Sequence, residues 1–299
     1  MVRLTRHPKN PVLLPVPEHP WESKHVSNAG IIVKDGKVHI LYRAGGDEMK
    51  PCTNHTWPVS RIGLAVSRDG VTIDERLPEP VIGVQGEPHP LTDGAEDARV
   101  CQIDGVYYAV YCTTSEIPEV LSYSTSNDLV RWEKQGVLMP DFSQRTGGLL
   151  PEKVDGEFVL FHRILPHMWI SKSPDLKTFH STQILMETRW GHWTEVKMGI
   201  GATPFRTDQA WVVIIHGKDR HRKYRLGVIW LDPDDPFRVI KVQDEPILEP
   251  EAEYERTGFV DNVVYTCGAA VLGGEVYVYY GCGDQCLAVA TAPLGDFRL

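Results

Sequence analysis

A basic surface is missing from this sequence. Its 299 residues include 31 lysines and arginines against 40 aspartates and glutamates, a formal net charge of −9. Nucleic acids and anionic membranes attract proteins through a basic face, so neither is expected as a main partner. Long apolar runs are missing too. The stretch from Trp211 to Ile215 has only the length of a strand, far short of the roughly 20 residues of a membrane-spanning helix.

Targeting and metal-binding patterns are equally scarce. The N-terminal stretch MVRLTRHPKNPVLLPVPEHP is interrupted by prolines and has no apolar core of a signal peptide, which predicts a cytoplasmic protein. Six cysteines are too few for a disulfide scaffold in a chain of this length. Cys282 and Cys286 have a C-x3-C spacing, but no CxxC pair or HExxH motif accompanies them. We therefore expect no metal site.

Helical periodicity is almost absent, and the acidic segment from Glu249 to Gly258 is predicted to form at most a short turn. The sequence does contain a repeated hairpin: an apolar strand, a tight turn, and a strand rich in aromatic and β-branched residues. Asp-Gly and Gly-Gly pairs are strong signals for such two-residue turns. The turn recurs about every 60 residues, at Asp35-Gly36, Asp104-Gly105, Asp155-Gly156, Asp208-Gln209 and Gly273-Gly274.

A third strand and a second turn follow each hairpin, as in LAVSRDGVTI from Leu64 and YSTSNDLVRW from Tyr123. Units of this kind fill residues 1–299. One unit alone leaves a face of its sheet uncovered, so the units must pack around a common axis. The sequence thus predicts an all-β, five-bladed β-propeller in a single domain. A two-sheet sandwich is the alternative, but it gives no reason for equivalent hairpins.

In a propeller the innermost strand of each blade lines the axial channel, and here that strand precedes the hairpin turn. Polar and charged residues occur at its start, where strand patterning would otherwise place apolar core. Burying charges without partners is unfavourable, so these residues predict a ligand site; the alternative is that they pair with one another and close the channel. They are Asn28, Glu96, Asp97, Arg99, Arg145 and Lys197, and the ends of the second strands add Arg43, Arg163, His216 and Asp284.

Cations outnumber carboxylates in this set. Arg145, Arg163, Lys197 and His216 could converge on one anion, with Tyr224 as a hydroxyl donor. An inverting glycosidase needs a second carboxylate to activate water, whereas phosphate needs a basic cradle and is itself the nucleophile. One carboxylic acid beside a basic cluster is the pattern expected of phosphorolysis, although the sequence alone does not show that these side chains converge.

Several motifs follow one another along essentially the whole chain. They include WESKHVSNAG from Trp21, GAEDARV from Gly94, LLPEKVDGEFVLFHR from Leu149, KYRLGVIWLD from Lys223 and PILEPEAEYERTGFVDNVVYTCG from Pro246. Together they resemble glycoside hydrolase family 130, the β-mannoside phosphorylases and related β-mannosidases. The resemblance implies a five-bladed propeller, in agreement with the repeat.

The resemblance also implies a role for each candidate residue. Asp97, in a Glu-Asp-x-Arg motif, matches the general acid, which in the phosphorylases acts through the 3-hydroxyl of the mannosyl residue. The positions that match phosphate contacts are Arg145, Arg163, Lys197, His216 and Tyr224. The positions expected to bind the mannosyl residue are Asn28, Arg43, Glu96, Arg99 and Asp284.

Some features depart from the family pattern. Ala29 and Ala98 stand where the family usually has proline. The insertion MKPCTNHTWPVS, with Trp57, and the GHW segment, with Trp193, match no shared motif. Their aromatic residues form either sugar-stacking subsites or packing between blades.

These residues together predict an inverting phosphorylase that converts a β-mannoside and inorganic phosphate into α-mannose 1-phosphate and a shortened sugar. The alternatives are a β-mannosidase with the same acid and a non-catalytic carbohydrate-binding propeller. The predicted partners are a sugar and phosphate, with no nucleic acid, membrane or metal, and phosphate is a co-substrate rather than a cofactor. The linkage (β-1,4 or β-1,2), the preferred chain length and the formation of a homo-oligomer stay open.

Overall fold

Antiparallel strands dominate the computed structural model, which describes residues 1–52, 55–83, 94–113 and 119–299, with the backbone alone for residues 50–52 and 55–57. Within these ranges the strands form five sheets. The inner strands of neighbouring sheets contact one another around a common axis, which confirms the five-bladed propeller rather than the sandwich. None of the helices in the same ranges is long and apolar enough to cross a membrane.

The first four blades follow one another along the chain, each running from an inner strand at the axis to an outer strand at the rim. The short strand β1 (Thr5–Arg6) comes first. Blades 1 and 2 then contain β2 (His25–Lys34), β3 (Lys37–Cys52), β4 (His55–Ser67) and β5 (Glu75–Arg76), followed by β6 (Glu96–Ile103), β7 (Val106–Thr113), β8 (Val120–Ser126) and β9 (Glu133–Leu138).

Blades 3 and 4 have the same order, except that two short strands share the inner position of blade 4. Blade 3 contains β10 (Gly147–Leu149), β11 (Phe158–His162), β12 (Met168–Ser173) and β13 (His180–Met186). Blade 4 contains β14 (Lys197–Ile200), β15 (Phe205–Arg206), β16 (Trp211–Lys218), β17 (Tyr224–Leu231) and β18 (Val239–Val242). Both β14 and β15 pair with β16.

The fifth blade takes its strands from two distant parts of the chain. Its inner strands are β19 (Val264–Leu272), β20 (Glu275–Cys282) and β21 (Cys286–Pro293), and β1 pairs antiparallel with β21 as the outer strand. A single helical turn, α1 (Glu253–Arg256), precedes β19, and a short 3-10 helix (Leu294–Phe297) follows β21. Pairing between β1 and β21 closes the ring of blades.

The hairpin turns form as the sequence predicts. Asp35 and Gly36 have φ values of 51° and 71°, and two successive positive φ angles define the type I′ turn that matches the twist of the strands. The pairs Asp104-Gly105, Asp155-Gly156 and Gly273-Gly274 have the same signature. The looser turn at Asp208-Gln209 is held differently, since the Thr207 hydroxyl accepts a hydrogen bond from the Ala210 amide at 3.1 Å.

Apolar side chains fill the spaces between neighbouring blades. Ile40 and Tyr42 of blade 1, for example, are fully buried against Tyr279 of blade 5. At the axis, glycine allows the inner strands to approach closely, because a Cβ on Gly30 would lie 2.4 Å from the carbonyl oxygen of Ala98. This packing fixes the starts of the inner strands next to one another at one end of the ring.

Candidate active site

A cavity of about 400 Å³ opens where the inner strands begin. Its wall is built from the starts of the inner strands, the ends of the second strands and neighbouring loops. The predicted site residues that line it are Asn28, Arg43, Asp97, Arg145, Arg163, Lys197, Tyr224 and Asp284. Some of them pair with one another, but the cavity remains. The structure places the other predicted residues, Glu96, Arg99 and His216, behind this wall.

Asp97 and Asn28 reach the cavity through bulges in their strands. The register between β6 and β7 shifts between Glu96 and Arg99, and Asp97 there has a φ of 59°. The register between β2 and β3 shifts in the same way, and Asn28 has a φ of 46°. Such bulges redirect a side chain. Here they bring the Asn28 amide to 2.9 Å from Oδ1 of Asp97, to which it donates a hydrogen bond.

Glu96 is fully buried behind the cavity wall and holds two arginines. Its Oε2 lies 2.6 Å from a guanidinium nitrogen of Arg145, and its Oε1 lies 3.4 Å from one of Arg43. Asp97 lines the cavity, whereas the neighbouring Glu96 is not among the lining residues. Glu96 therefore positions Arg43 and Arg145, and its direct contact with a sugar stays a prediction.

Arg99 lies beneath the cavity, where it is 2% exposed. Its guanidinium donates hydrogen bonds to the backbone oxygens of Asp97 at 2.9 Å and Ile200 at 3.0 Å, and to the Tyr265 hydroxyl at 2.9 Å. One side chain therefore ties together blades 2, 4 and 5 and fixes the backbone of Asp97. The predicted contact between Arg99 and a mannosyl residue likewise stays a prediction.

His216 is fully buried and sits behind Arg163. Its Nδ1 lies 3.0 Å from the carbonyl oxygen of Ile200 and its Nε2 lies 3.1 Å from Nη1 of Arg163. A carbonyl accepts and a guanidinium donates, so Nδ1 carries the proton and Nε2 accepts. Burial, with Arg163 nearby, holds the pKa of His216 well below its ordinary value. The neutral ring thus orients Arg163, and the phosphate contact of His216 stays a prediction.

Arg163 and Lys197 are cations without an anionic partner within 4 Å among the described residues. Arg163 is 5% exposed, and burial lowers its pKa. Burial also lowers the pKa of Lys197 to about 7, and repulsion from Arg163 and Lys218 adds to this effect. Two cations that are desolvated beside each other form a site that an anion stabilises.

Tyr224 completes the basic wall as a neutral donor. The ammonium groups of Lys197 and Lys218 lie 5.3 Å and 5.2 Å from the centre of its ring. Burial raises the pKa of Tyr224 to about 12, opposed by the nearby Arg163. The hydroxyl therefore stays protonated near neutral pH and can donate a hydrogen bond to an oxyanion.

Asp284 lies on the turn between β20 and β21, where it has a φ of 50°. Burial raises its pKa, an effect that Arg43 opposes. Arg43 in turn lies 3.4 Å from Oδ1 of Asp97. Arg43 thus interacts with both Asp97 and Asp284 in the cavity wall. We refer to Arg163, Lys197 and Tyr224 as the basic side of the cavity.

Of the two tryptophans outside the family pattern, Trp57 and Trp193, the structure describes the side chain of Trp193 only. Trp193 packs within blade 4, since Cβ atoms on Gly217 and Gly227 would each lie 2.6 Å from its ring, and its Nε1 donates to the backbone oxygen of Asp244 at 2.8 Å. The ring of Trp193 therefore packs against the strands of blade 4 and does not form a surface on which a sugar stacks. The side chain of Trp57 lies outside the described residues.

The cavity also has lining residues that the sequence did not indicate. Lys218 follows His216 by two residues in β16 and lines the wall, as does Arg222. Thr146 and Tyr265 also line it, as the sequence predicts for residues at the starts of the inner strands of blades 3 and 5. Because side chains two residues apart in a strand point to the same side, the position of His216 could have predicted that Lys218 faces the cavity. Arg222 lies in a loop with a φ of 66°, and no sequence pattern predicts that conformation.

Comparison with known proteins gives a family match over nearly the whole chain. A family model of glycoside hydrolase family 130, described as beta-1,4-mannooligosaccharide phosphorylase, matches residues 3–297. The chain is 37% identical to a 1,2-beta-oligomannan phosphorylase of Thermoanaerobacter sp., with all of both chains covered. It is 40% identical to a beta-1,2-mannobiose phosphorylase of the same organism, with 97% of each chain covered.

A solved structure shows the same fold. The beta-1,2-mannobiose phosphorylase of Listeria innocua, in complex with beta-1,2-mannobiose, superposes with a TM-score of 0.87 at 26% identity, and the match covers 98% of each chain.

Proposed function

Because the chain belongs to glycoside hydrolase family 130, we propose that it is an inverting phosphorylase of β-1,2-linked mannosides. It uses inorganic phosphate to release α-mannose 1-phosphate and a sugar shortened by one residue. The β-1,2 linkage is favoured over β-1,4 because the two Thermoanaerobacter relatives described above, which match over nearly their full length, are phosphorylases of β-1,2-linked mannosides.

The observation that carries the proposal is a pair of cations, Arg163 and Lys197, that line the same cavity as Asp97. Among the residues that the structure describes, neither has a carboxylate within 4 Å. A hydrolase needs a carboxylate to activate water on the face of the sugar opposite its acid. Arg163 and Lys197 instead neutralise and orient an oxyanion, and Tyr224 can donate to it. Phosphate held there needs no additional base.

The proposed reaction uses Asp97 as the acid and the basic side of the cavity as the phosphate site. A phosphate oxygen forms a bond to the anomeric carbon on one face, while the bond to the leaving sugar breaks on the other, so the β-linkage becomes an α-phosphate. Asp97 supplies the proton that the leaving oxygen takes up, through the mannosyl 3-hydroxyl as the family resemblance implies. Asn28 and Arg43 hold the carboxyl group of Asp97 in place. No metal or organic cofactor is required.

We also place the enzyme in the cytoplasm. Phosphorolysis consumes inorganic phosphate and conserves the energy of the glycosidic bond in a charged sugar phosphate. That product is useful to a cell only where phosphate is abundant and the product cannot diffuse away.

The direct test runs the reaction backwards. Incubation with α-mannose 1-phosphate and either mannose or β-1,2-mannobiose should release phosphate, and NMR of the product should show a β-1,2 linkage. A β-1,4 product would overturn the proposed linkage only. Release of mannose from β-mannobiose in phosphate-free buffer, with no phosphate release in the synthetic assay, would identify a β-mannosidase.

Asp97→Asn is the matched variant for the acid. The amide keeps the shape and the contact with Asn28 but has no acidic proton, so kcat should fall about 100-fold or more. Unchanged binding of sulfate, measured by thermal shift, serves as the control for an intact basic side. Wild-type rates no higher than those of the variant would favour a non-catalytic binding propeller.

A further inference from the structure

Lys218 and Arg222 lie on the cavity wall without a role in the reaction described above. Lys218 stands directly opposite Lys197 in the pairing of β14 with β16. Like charges in that position repel and destabilise a sheet. The two ammonium groups are also near one ring, at 5.3 Å and 5.2 Å from the centre of Tyr224. The fold therefore keeps Lys197 and Lys218 close together although their charges repel, and apolar side chains could fill the same positions without this repulsion.

The other cations of the same hairpin are all paired, which sets Lys218 and Arg222 apart. Arg220 contacts Glu195 at 2.8 Å, Arg225 contacts Asp219 at 2.7 Å, and Lys223 lies 3.7 Å from Glu249. For Lys218 and Arg222, no carboxylate lies within 4 Å among the residues that the structure describes.

The backbone of Arg222 is held in a strained conformation. Its φ of 66° is in the left-handed region, which a long side chain rarely adopts. The loop is nevertheless fixed, because the Arg222 amide donates to the carbonyl oxygen of Asp219 at 3.1 Å and the Asp219 amide donates to that of Lys223 at 3.2 Å. Strain held by surrounding contacts is characteristic of functional positions.

The cations form a row from the interior to the solvent. Arg163 is buried, Lys197 and Lys218 are half-buried, and Arg222 is exposed. Successive members are close enough to repel, since burial together with Arg163 and Lys218 lowers the pKa of Lys197, and burial together with Arg222 lowers that of Lys218. One phosphate in contact with Arg163 and Lys197 leaves the outer two cations uncompensated.

We propose that Lys218 and Arg222 form an outer anion site, which binds inorganic phosphate at the mouth of the cavity before it moves inward to Arg163 and Lys197. The inference rests on the proposed phosphorolysis, because it assigns phosphate as the anion. Two adjacent sites predict that an anion with two phosphoryl groups binds more tightly than one with a single tetrahedral centre. Pyrophosphate and sulfate are therefore the probes.

The experiment compares the wild type with Lys218→Met and Arg222→Gln, and with Lys223→Gln as the matched control. Lys223 is in the same loop and carries the same charge, but it pairs with Glu249. Dissociation constants for both anions come from thermal shift, which needs no turnover, and inhibition of phosphorolysis gives a second measure. In the wild type, pyrophosphate should bind roughly tenfold more tightly than sulfate, as one additional charge-assisted contact allows.

Lys218→Met and Arg222→Gln should reduce this advantage to about twofold or less, while Lys223→Gln keeps it. Lys218→Met should also raise the melting temperature without anion, because it removes a repulsion; a purely structural lysine would lower it. If the ratio of the dissociation constants for sulfate and pyrophosphate is the same in the wild type and all three variants, the outer site is overturned. If the wild type shows no phosphate-dependent turnover but the variants still differ in anion binding, the proposed reaction fails while the site stands.

Discussion

Asn28 and Asp97 occupy equivalent places on neighbouring blades, and both have a positive φ. Asp284, which lines the same cavity, shares this property with a φ of 50°. Each such residue stores about 1–3 kcal/mol of strain, which the surrounding contacts must offset. Asparagine and aspartate tolerate this region better than most residues, so the site uses the residue types that the backbone there accepts. Substitution by a β-branched residue at these positions would disturb backbone and chemistry together.

Lys197 gives the site a pH dependence that sulfate can reveal. Burial lowers the pKa of Lys197 to about 7, so in the free enzyme the ammonium group loses its proton above that pH. Sulfate keeps its charge over this range, whereas phosphate does not. We expect the dissociation constant for sulfate to be level below about pH 6.5 and to rise up to tenfold per pH unit above pH 7, since one proton is then taken up on binding.

Lys197→Arg is the control for this measurement, because a guanidinium stays protonated throughout the range. Its sulfate affinity should change little between pH 6 and pH 8. A level profile in the wild type would mean that Lys197 is charged throughout, and would contradict the effect ascribed to its burial.

At the scale of elements, the contact between blades 1 and 2 depends on a missing side chain. A Cβ on Gly30 would lie 2.4 Å from the Ala98 oxygen and 3.1 Å from a methyl group of Val100. Gly30→Ala must push β2 away from β6, which carries Asp97. We expect a loss of about 1–3 kcal/mol in the free energy of unfolding and a higher KM for the sugar. Urea unfolding and steady-state kinetics measure the two effects.

Gly295→Ala is the matched control, since a Cβ there meets nothing within 4 Å. It should leave both quantities close to the wild type. If Gly30→Ala also leaves KM and stability unchanged, the approach of β2 to β6 does not fix the position of Asp97.

The elements show where sequence patterns were sufficient. The Asp-Gly and Gly-Gly turns were predictable because few other residues adopt two positive φ angles in succession. Strand β1 was not predicted as part of blade 5, since two residues carry no alternation to read. Asp97 and Arg163 line the cavity, as their strand positions predict. Two other features are set by contacts between blades, which the sequence does not reveal. One is the bulge next to Glu96, and the other is the tautomer in which His216 accepts a hydrogen bond from Arg163.

At the scale of the whole molecule, stability depends on how blade 5 is joined to the N-terminal strand. Arg6 donates to both carboxylate oxygens of Glu255 at 2.8 Å, and the fully buried Glu255 also accepts from the Tyr280 hydroxyl at 2.8 Å. Burial raises the pKa of Glu255, but the Arg6 contact and backbone amides outweigh it and lower the value overall. The carboxylate is therefore charged and needs its partner.

Arg6→Met should lower the free energy of unfolding by about 3 kcal/mol, because it leaves a buried charge unpaired. Adding Glu255→Gln should restore part of the loss, and the double-mutant cycle by urea unfolding gives the coupling. Arg3→Met, at an exposed position without an ion pair among the described contacts, should change stability by less than about 0.5 kcal/mol. Equal losses for Arg3→Met and Arg6→Met would show that the closure does not depend on this pair.

The pairing of β1 with β21 also determines when the ring can close during synthesis of the chain. Arg6 pairs with Ala290, so one of the first strands made must wait for one of the last. At about 5–20 residues per second, the ribosome needs on the order of 15–60 s to travel between them. During that time the apolar face of blade 1, with Ile40 and Tyr42, has no partner from blade 5. The nascent ring is therefore most exposed to chaperones and to aggregation at the seam where its two ends meet.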